Sequence, residues 1–369
     1  MSTSKDLNIC FFNSIKSWGG GEKWHAEMAA YVAESEVKVY MYTSKGSALE
    51  AKLGGSKVQI RHTNVSNLSY LNPFKVKALT QQFKKDAIDT IVINSSQDMK
   101  CAGLAAKKAG VKYIIYRRGS AIPIKNTFVN RYFFKEVVTN IIANSVATKE
   151  TIVANNRDLF PREKMVVIPN GIDTDVFLKT LEAMPSYNSK KKPFTFGNLG
   201  RLVTQKNQLF LIEVAKKLKD ASFPFQLIIG GEGKLLPELI AKTKEYNLEK
   251  EVKFEGFVSH PQKFYQQLDV FVLSSLWEGF GYVIAEAMLC QKPVIAFDVS
   301  SNPELVNSNI NGILTPVNDV NSVVEALQFF AKNPKLIAQY GKAGKEKIIK
   351  EFDASVARKR FLQYINTLQ

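Results

Sequence analysis

The sequence predicts an α/β protein made of two doubly wound domains, each a parallel sheet covered by helices. Three observations carry this. The chain has 369 residues, more than one ordinary core of roughly 150 residues accommodates. Short β-type runs alternate with helical patterns, as βαβ units around a parallel sheet require. The alternation stops at a polar, basic stretch bracketed by Pro185 and Pro193, and then starts again.

In the first half, β-type runs fall at 7–13, 38–43, 90–96, 113–118, 140–145 and 165–170. Helical patterns at 23–33, 100–109 and 147–154 separate several of them. The second half repeats the scheme, with strands at 194–199, 225–230, 252–257, 270–275 and 294–298. Helical stretches there fall at 208–219, 235–246, 261–267, 282–290 and 320–331. The expected organisation is an N-terminal domain at 1–185, a linker at 186–193, a second domain at 194–345 and a helical segment at 346–369. In such sheets ligands bind beyond the carboxyl ends of the strands, and two of them facing each other define a deep cleft.

Composition sets the broad class. Apolar residues make up 45% and charged residues 23%, which is ordinary for a globular chain and argues against disorder or fibres. No apolar run approaches the roughly 18 residues needed to span a bilayer. The opening residues lack the apolar core of a signal peptide. Cys10, Cys101 and Cys290 are scattered and form no C-x-x-C, which argues against a disulfide framework or zinc site and fits a reducing cytoplasm.

Charge is the unusual quantity. Fifty basic residues against 34 acidic ones leave a net charge of +16. Residues 75–135 hold 13 basic and 3 acidic residues, a net +10 within one sixth of the chain. The excess favours anionic partners: phosphorylated substrates, nucleic acid or an acidic membrane surface. Solubility alone is the plainer reading. In 73–85 and 124–135 lysines and arginines are interleaved with Phe74, Val76, Leu79, Phe83, Phe128, Tyr132, Phe133 and Phe134. That mixture suits lying on an anionic membrane, or an amphipathic helix with its apolar face in the core. No ordered array of basic residues with stacking aromatics reads as a nucleic-acid module.

The chemistry-bearing motifs sit at expected strand ends. The run 194–199 enters a turn with Gly197 and Gly200, then Arg201, Lys206 and a helix. Two cations beside a helix N-terminus suit a diphosphate, because exposed N–H groups and the helix dipole add to their charge; surface cations that are merely solvated are the commoner case. Gly230, Gly231 and Gly233 follow another strand, but their spacing is not G-x-G-x-x-G, and a turn without a ligand fits equally well. The segment 274–288 is more specific. A buried-type strand runs into a loop bearing Glu278, with Gly279 and Gly281 exposing backbone amides. A helix from near Gly281 carries Glu286. The two carboxylates, in the pattern E-x7-E, reach separate parts of one extended ligand while amides near 279–282 hold a phosphate. Glu286 lies among Val283, Ile284, Ala285, Ala287 and Met288, where a carboxylate needs a partner.

Together these residues resemble the glycosyltransferases of family 4, with the two-Rossmann-domain architecture called GT-B, in which the domains face each other across a cleft. The resemblance rests on Glu278 to Glu286, Gly200-Arg201 with Lys206, and residues 168–173, and covers nearly the whole chain. It implies that Arg201 and Lys206 bind the donor diphosphate, that Glu278 binds the donor sugar, and that Glu286 binds the ribose. It also places the amides of Gly279, Phe280 and Gly281 near sugar and phosphates, and Gly256 and Phe257 at the base. Gly20, Gly21 and Glu22 match the glycine loop lining the opposite side of the cleft, and residues 346–369 match a segment that crosses back to the first domain.

One feature departs from the family. Where many members carry a histidine near the donor sugar, this chain has Arg117 and Arg118, which suit either a phosphate or acidic sugar, or a structural role. The implied reaction is retaining transfer from a nucleotide diphosphate sugar to a glycan, glycolipid or other anionic acceptor. It needs no cofactor and no metal. The expected setting is cell-surface polysaccharide or lipopolysaccharide assembly, in the cytoplasm or peripherally on the inner face of the plasma membrane. A soluble disaccharide or storage-glucan transferase is the alternative, and a non-catalytic nucleotide- or nucleic-acid-binding protein a third.

Overall fold

The computed structural model describes residues 7–35, 37–185 and 193–368. It divides into two compact units, residues 1–170 with 357–369, and residues 171–356.

The first unit runs β1 (Asn8–Phe12), α1 (Gly20–Ala33), β2 (Lys38–Thr43), α2 (Ala48–Leu53), β3 (Gln59–His62), α3 (Pro73–Lys85), β4 (Thr90–Ile93), α4 (Ser96–Ala109), β5 (Tyr113–Arg118), α5 (Phe128–Glu136), β6 (Asn140–Ala143), α6 (Val146–Val153) and β7 (Met165–Val167). Its seven strands are ordered β3-β2-β1-β4-β5-β6-β7, and every pairing is parallel. Both faces are covered, so β1 is apolar from Ile9 onward: Cys10 and Phe12 enter one core, Ile9 and Phe11 the other.

The second unit runs α7 (Thr174–Glu182), β8 (Phe194–Leu199), α8 (Gln208–Asp220), β9 (Phe225–Gly230), α9 (Leu236–Glu245), β10 (Val252–Gly256), α10 (Pro261–Gln266), β11 (Val270–Leu273), α11 (Tyr282–Leu289), β12 (Val294–Phe297), α12 (Asn302–Leu305), β13 (Gly312–Thr315), α13 (Val320–Lys332) and α14 (Pro334–Phe352). Its parallel sheet is ordered β10-β9-β8-β11-β12-β13. The strand order reverses between β8 and β11, where open α/β sheets bind ligands. In the first unit the reversal lies between β1 and β4. The last helix, α15 (Ala354–Thr367), lies mostly in the first unit, where the Phe361 ring packs 5.9 Å from Phe11 and 5.6 Å from Trp24.

Two expected boundaries move. The first unit ends at Asn170, not at residue 185. Helix α7 belongs to the second unit because Phe177, Leu178 and Leu181 pack on a core containing Ile284 and Met288. Asp173 caps α7: its carboxylate accepts the Val176 N–H at the start of the helix. At the other end, 346–352 stay with the second unit as the last turns of α14, where Ile348 and Phe352 join that core, and only 357–369 group with the first. Of the expected linker, residues 186–192 lie outside the described residues. The three cysteines are buried and unbridged. Among the described residues, no helix is long and apolar enough to cross a membrane.

Candidate functional site at the strand reversal of the second unit

The loops leaving β8 and β11 are stitched together at this reversal. Leu276 N–H donates to Gln205 O at 2.9 Å, and Gln205 Nε2 donates to Trp277 O at 2.9 Å. Ser274 Oγ donates to Lys206 O at 2.9 Å. These bonds hold a 3₁₀ turn at Thr204–Lys206 beside the loop that carries Glu278. Lys206 Nζ therefore reaches Glu278 Oε1 at 2.5 Å, with both side chains largely shielded from solvent. A charge-assisted bond of this length in a low-dielectric place fixes both groups. Arg201, one turn earlier, is exposed, and its guanidinium has no hydrogen-bond or ion-pair partner among the described residues.

Helix α11 begins immediately beyond Glu278. Its N-cap, Gly281, has φ +84°, a left-handed conformation that a side chain would strain, and no side chain caps the helix. A helix start without a side-chain cap is an arrangement suited to an anion. The Phe280 ring is buried against Tyr282 and Phe352, so only its backbone can serve a ligand. The expected partner of Glu286 is the Tyr265 hydroxyl, which donates to Oε2 at 3.0 Å from α10. Burial first, and the neighbouring Glu286 charge second, push the Tyr265 phenol well above its ordinary pKa, so it stays a donor.

The glycine turn after β9 has a packing explanation. A Cβ on Gly231 would lie 1.9 Å from the Gly200 carbonyl oxygen, and Gly231 has φ +123°. Gly200 N–H donates to Gly230 O, and Leu202 N–H to Glu232 O, so this turn supports the loop that presents Arg201 and Lys206. At the end of β10, Gly256 accepts the Gly231 N–H and the following Phe257 ring is exposed, a face on which a planar base can stack.

In the first unit, α1 starts at Gly20, and Gly21 packs against the Asn94 side chain at the end of β4. Glu22 turns inward and accepts from Asn13 Nδ2 at 3.1 Å. Arg117 is 2% exposed: it donates to Asn94 Oδ1 and Asn170 Oδ1 and lies 4.6 Å from the centre of the Trp24 ring. Its guanidinium is thus enclosed by Asn94, Asn170 and Trp24. Arg118, on the opposite face of the strand, borders a cavity instead. The sequence reading missed the buried His25, which stacks edge-on to Phe11 at 5.6 Å; one histidine in a helical pattern carries no signal of its burial.

The chain thus combines two parallel-sheet α/β units, the second with a cation–carboxylate pair at its strand reversal. Residues 18–176 match the model described as Glycosyltransferase Family 4, and residues 180–347 match Glycosyl transferases group 1. The chain belongs to the family-4 type of glycosyltransferases, and is a sugar-transferring enzyme of the GT-B fold. It is 29% identical to an uncharacterized glycosyltransferase of Methanocaldococcus jannaschii, over 78% of this chain and 80% of that one. It is 28% identical to the Escherichia coli UDP-Gal:alpha-D-GlcNAc-diphosphoundecaprenol alpha-1,3-galactosyltransferase, over 71% of each. The structure of Anabaena HepE with UDP and glucose superposes with a TM-score of 0.79 at 20% identity, covering 98% of this chain and 100% of that one.

Proposed function

We propose that the protein is a retaining transferase that moves a sugar from a nucleoside diphosphate sugar to a glycan or lipid-linked acceptor in the assembly of a cell-surface polysaccharide or lipopolysaccharide. The observation that carries this is the Lys206–Glu278 pair beside the uncapped start of α11. The UDP-bound relative of like fold and the lipid-linked acceptor in the name of the E. coli relative support the donor and acceptor classes.

In this reading Arg201 and Lys206 hold the diphosphate, and the amides of Gly279, Phe280 and Gly281 share the charge that grows on it as the bond from the anomeric carbon breaks. Glu278 receives the donor sugar's hydroxyls. Glu286, held by Tyr265, receives the ribose, and Phe257 the base. The acceptor oxygen bonds to the anomeric carbon on the face the diphosphate leaves, and its proton passes to a phosphate oxygen of the leaving group. Arg201 and Lys206 supply the charge stabilisation, so this route needs no metal.

The test is a panel of UDP-, GDP-, ADP- and CDP-sugars incubated with the protein and a lipid-diphosphate acceptor, with released nucleotide quantified and the product's anomeric configuration read by NMR. Release and retention support the reading. An inverted product overturns the stereochemical part, and no release from any donor overturns the whole.

A further inference from the structure

A cavity of about 440 Å³ opens in the first unit beyond the carboxyl ends of β4 and β5. Its size is that of a small-molecule site. Three cations border it, Lys100, Arg118 and Lys125, and no carboxylate does. Two helices begin at its edge: Ser96 opens α4, and Thr127 is the N-cap of α5. Their dipoles add to the positive field. Lys100 Nζ lies 5.8 Å from the centre of the Tyr70 ring, which gives the basic wall an apolar neighbour. Arg118 gives one Nη2 hydrogen to Ile122 O at 2.7 Å, while its Nε, out of reach of solvent, has no hydrogen-bond partner among the described residues. An unmet buried guanidinium donor is costly unless an acceptor arrives.

The rim differs from the wall. Leu71, Ile122 and Phe128, each next in the chain to a bordering residue, are exposed, Phe128 by 75%. Phe74, the second residue of α3, is 81% exposed. A soluble phosphorylated acceptor gives no use to such a rim. A lipid held in a bilayer does, because its anionic group lies at the depth where apolar side chains enter the interface.

We propose that this cavity binds the phosphate group of a membrane-held, lipid-linked acceptor, with Lys100, Arg118 and Lys125 on the anion and Leu71, Ile122 and Phe128 in the interface. This rests on the reading of the enzyme as a transferase to such acceptors, and it names the acceptor group recognised and the side chains that recognise it.

The experiment uses the full chain saturated with UDP, so that a diphosphate site in the second unit is already filled. Calorimetry with inorganic pyrophosphate then reads the cavity, and flotation reads binding to phosphatidylcholine vesicles with and without phosphatidic acid. The expected result is pyrophosphate binding by the UDP-loaded protein, and flotation only with phosphatidic acid vesicles, competed by pyrophosphate. Lys100→Gln with Lys125→Gln lowers both affinities about tenfold or more, while melting temperature and UDP affinity stay unchanged. Leu71→Ser with Phe128→Ser lowers flotation but spares pyrophosphate binding.

Unchanged binding in the lysine variant overturns the cavity assignment. Pyrophosphate binding without flotation overturns the lipid source, and equal flotation with pure phosphatidylcholine overturns the anion. UDP affinity and donor turnover, measured on the same samples, report separately on the proposed function.

Discussion

Lys206 Nζ and Glu278 Oε1 meet at 2.5 Å across the strand reversal of the second unit, joining the loop after β8 to the loop after β11. The pair makes two residues 72 positions apart into one unit, so their substitutions should not act independently. Lys206→Ala should weaken uridine diphosphate binding by roughly 1.5–3 kcal/mol, the worth of a charge-assisted contact. Glu278→Ala should leave diphosphate binding at least as tight, because it frees the ammonium, yet lower turnover. Calorimetry on the two single variants and the double variant measures the coupling; a coupling energy of zero would reject the joint role.

Tyr265→Phe removes only the hydroxyl that holds Glu286. Nucleotide affinity should fall by less than in Glu286→Ala, and stability by about 1 kcal/mol, the net value of a buried hydrogen bond. A thermal-shift series with UDP reads both effects. If Glu286→Ala binds UDP normally, the ribose role is wrong.

Gly231→Ala should be severe although it adds one carbon. The new Cβ would fall on the Gly200 carbonyl, and φ +123° disfavours any side chain. A loss of at least about 2 kcal/mol is expected, with diphosphate affinity falling alongside because the Arg201–Lys206 loop rests on that turn. Urea unfolding checks the first part and calorimetry the second.

Phe361→Ala tests the role of the chain's end. Phe361 is fully buried against Phe11 and Trp24, so truncation should cost about 3–5 kcal/mol. Unfolding with unchanged midpoint would show that α15 contributes nothing to the first unit.

Acid should destabilise the first unit in two stages. Burial, and then the Arg117 charge, hold the His25 imidazole well below its ordinary value. The unfolded chain therefore binds a proton that the folded chain refuses, and stability falls as pH drops below about 6.5. Burial works to raise the Asp86 carboxyl, but hydrogen bonds from Arg61, Tyr42 and Gln82 outweigh it and leave it below the usual range. Its contribution is present above about pH 3.9 and lost as pH falls through the lower folded value. Midpoints measured from pH 7 to 3 should decline in both windows. His25→Leu should flatten the upper one and Asp86→Asn the lower; identical slopes in the variants would contradict the assignment.

Most of the fold was legible in the residues, because strands buried on both faces read as unbroken apolar runs. β2, β5, β8 and β9 lie at the expected residues. The strands missed were β3 and β13, both at sheet edges. An edge strand has one neighbour and partial burial, so Gln59–His62 carries no apolar pattern to find. The domain boundary was misplaced for a related reason. The proline-bracketed stretch near residue 190 looks like a linker, but α7 before it packs Phe177 and Leu181 against the core of the second unit, and long-range packing of that kind leaves no local mark.

The sequence by itself determined the class of protein, the two Rossmann-type sheets and the residues at the strand reversal, since β8 and β11 end where apolar runs give way to glycine, cations and carboxylates. Only the tertiary structure decided what those residues do to one another. It joined Lys206 to Glu278, gave Glu286 its Tyr265, enclosed Arg117 beside Trp24 and left Arg118 at a basic cavity. Periodicity reports which face of an element is buried, whereas a contact between side chains dozens of residues apart depends on the order of strands in the sheet, which only the folded chain sets.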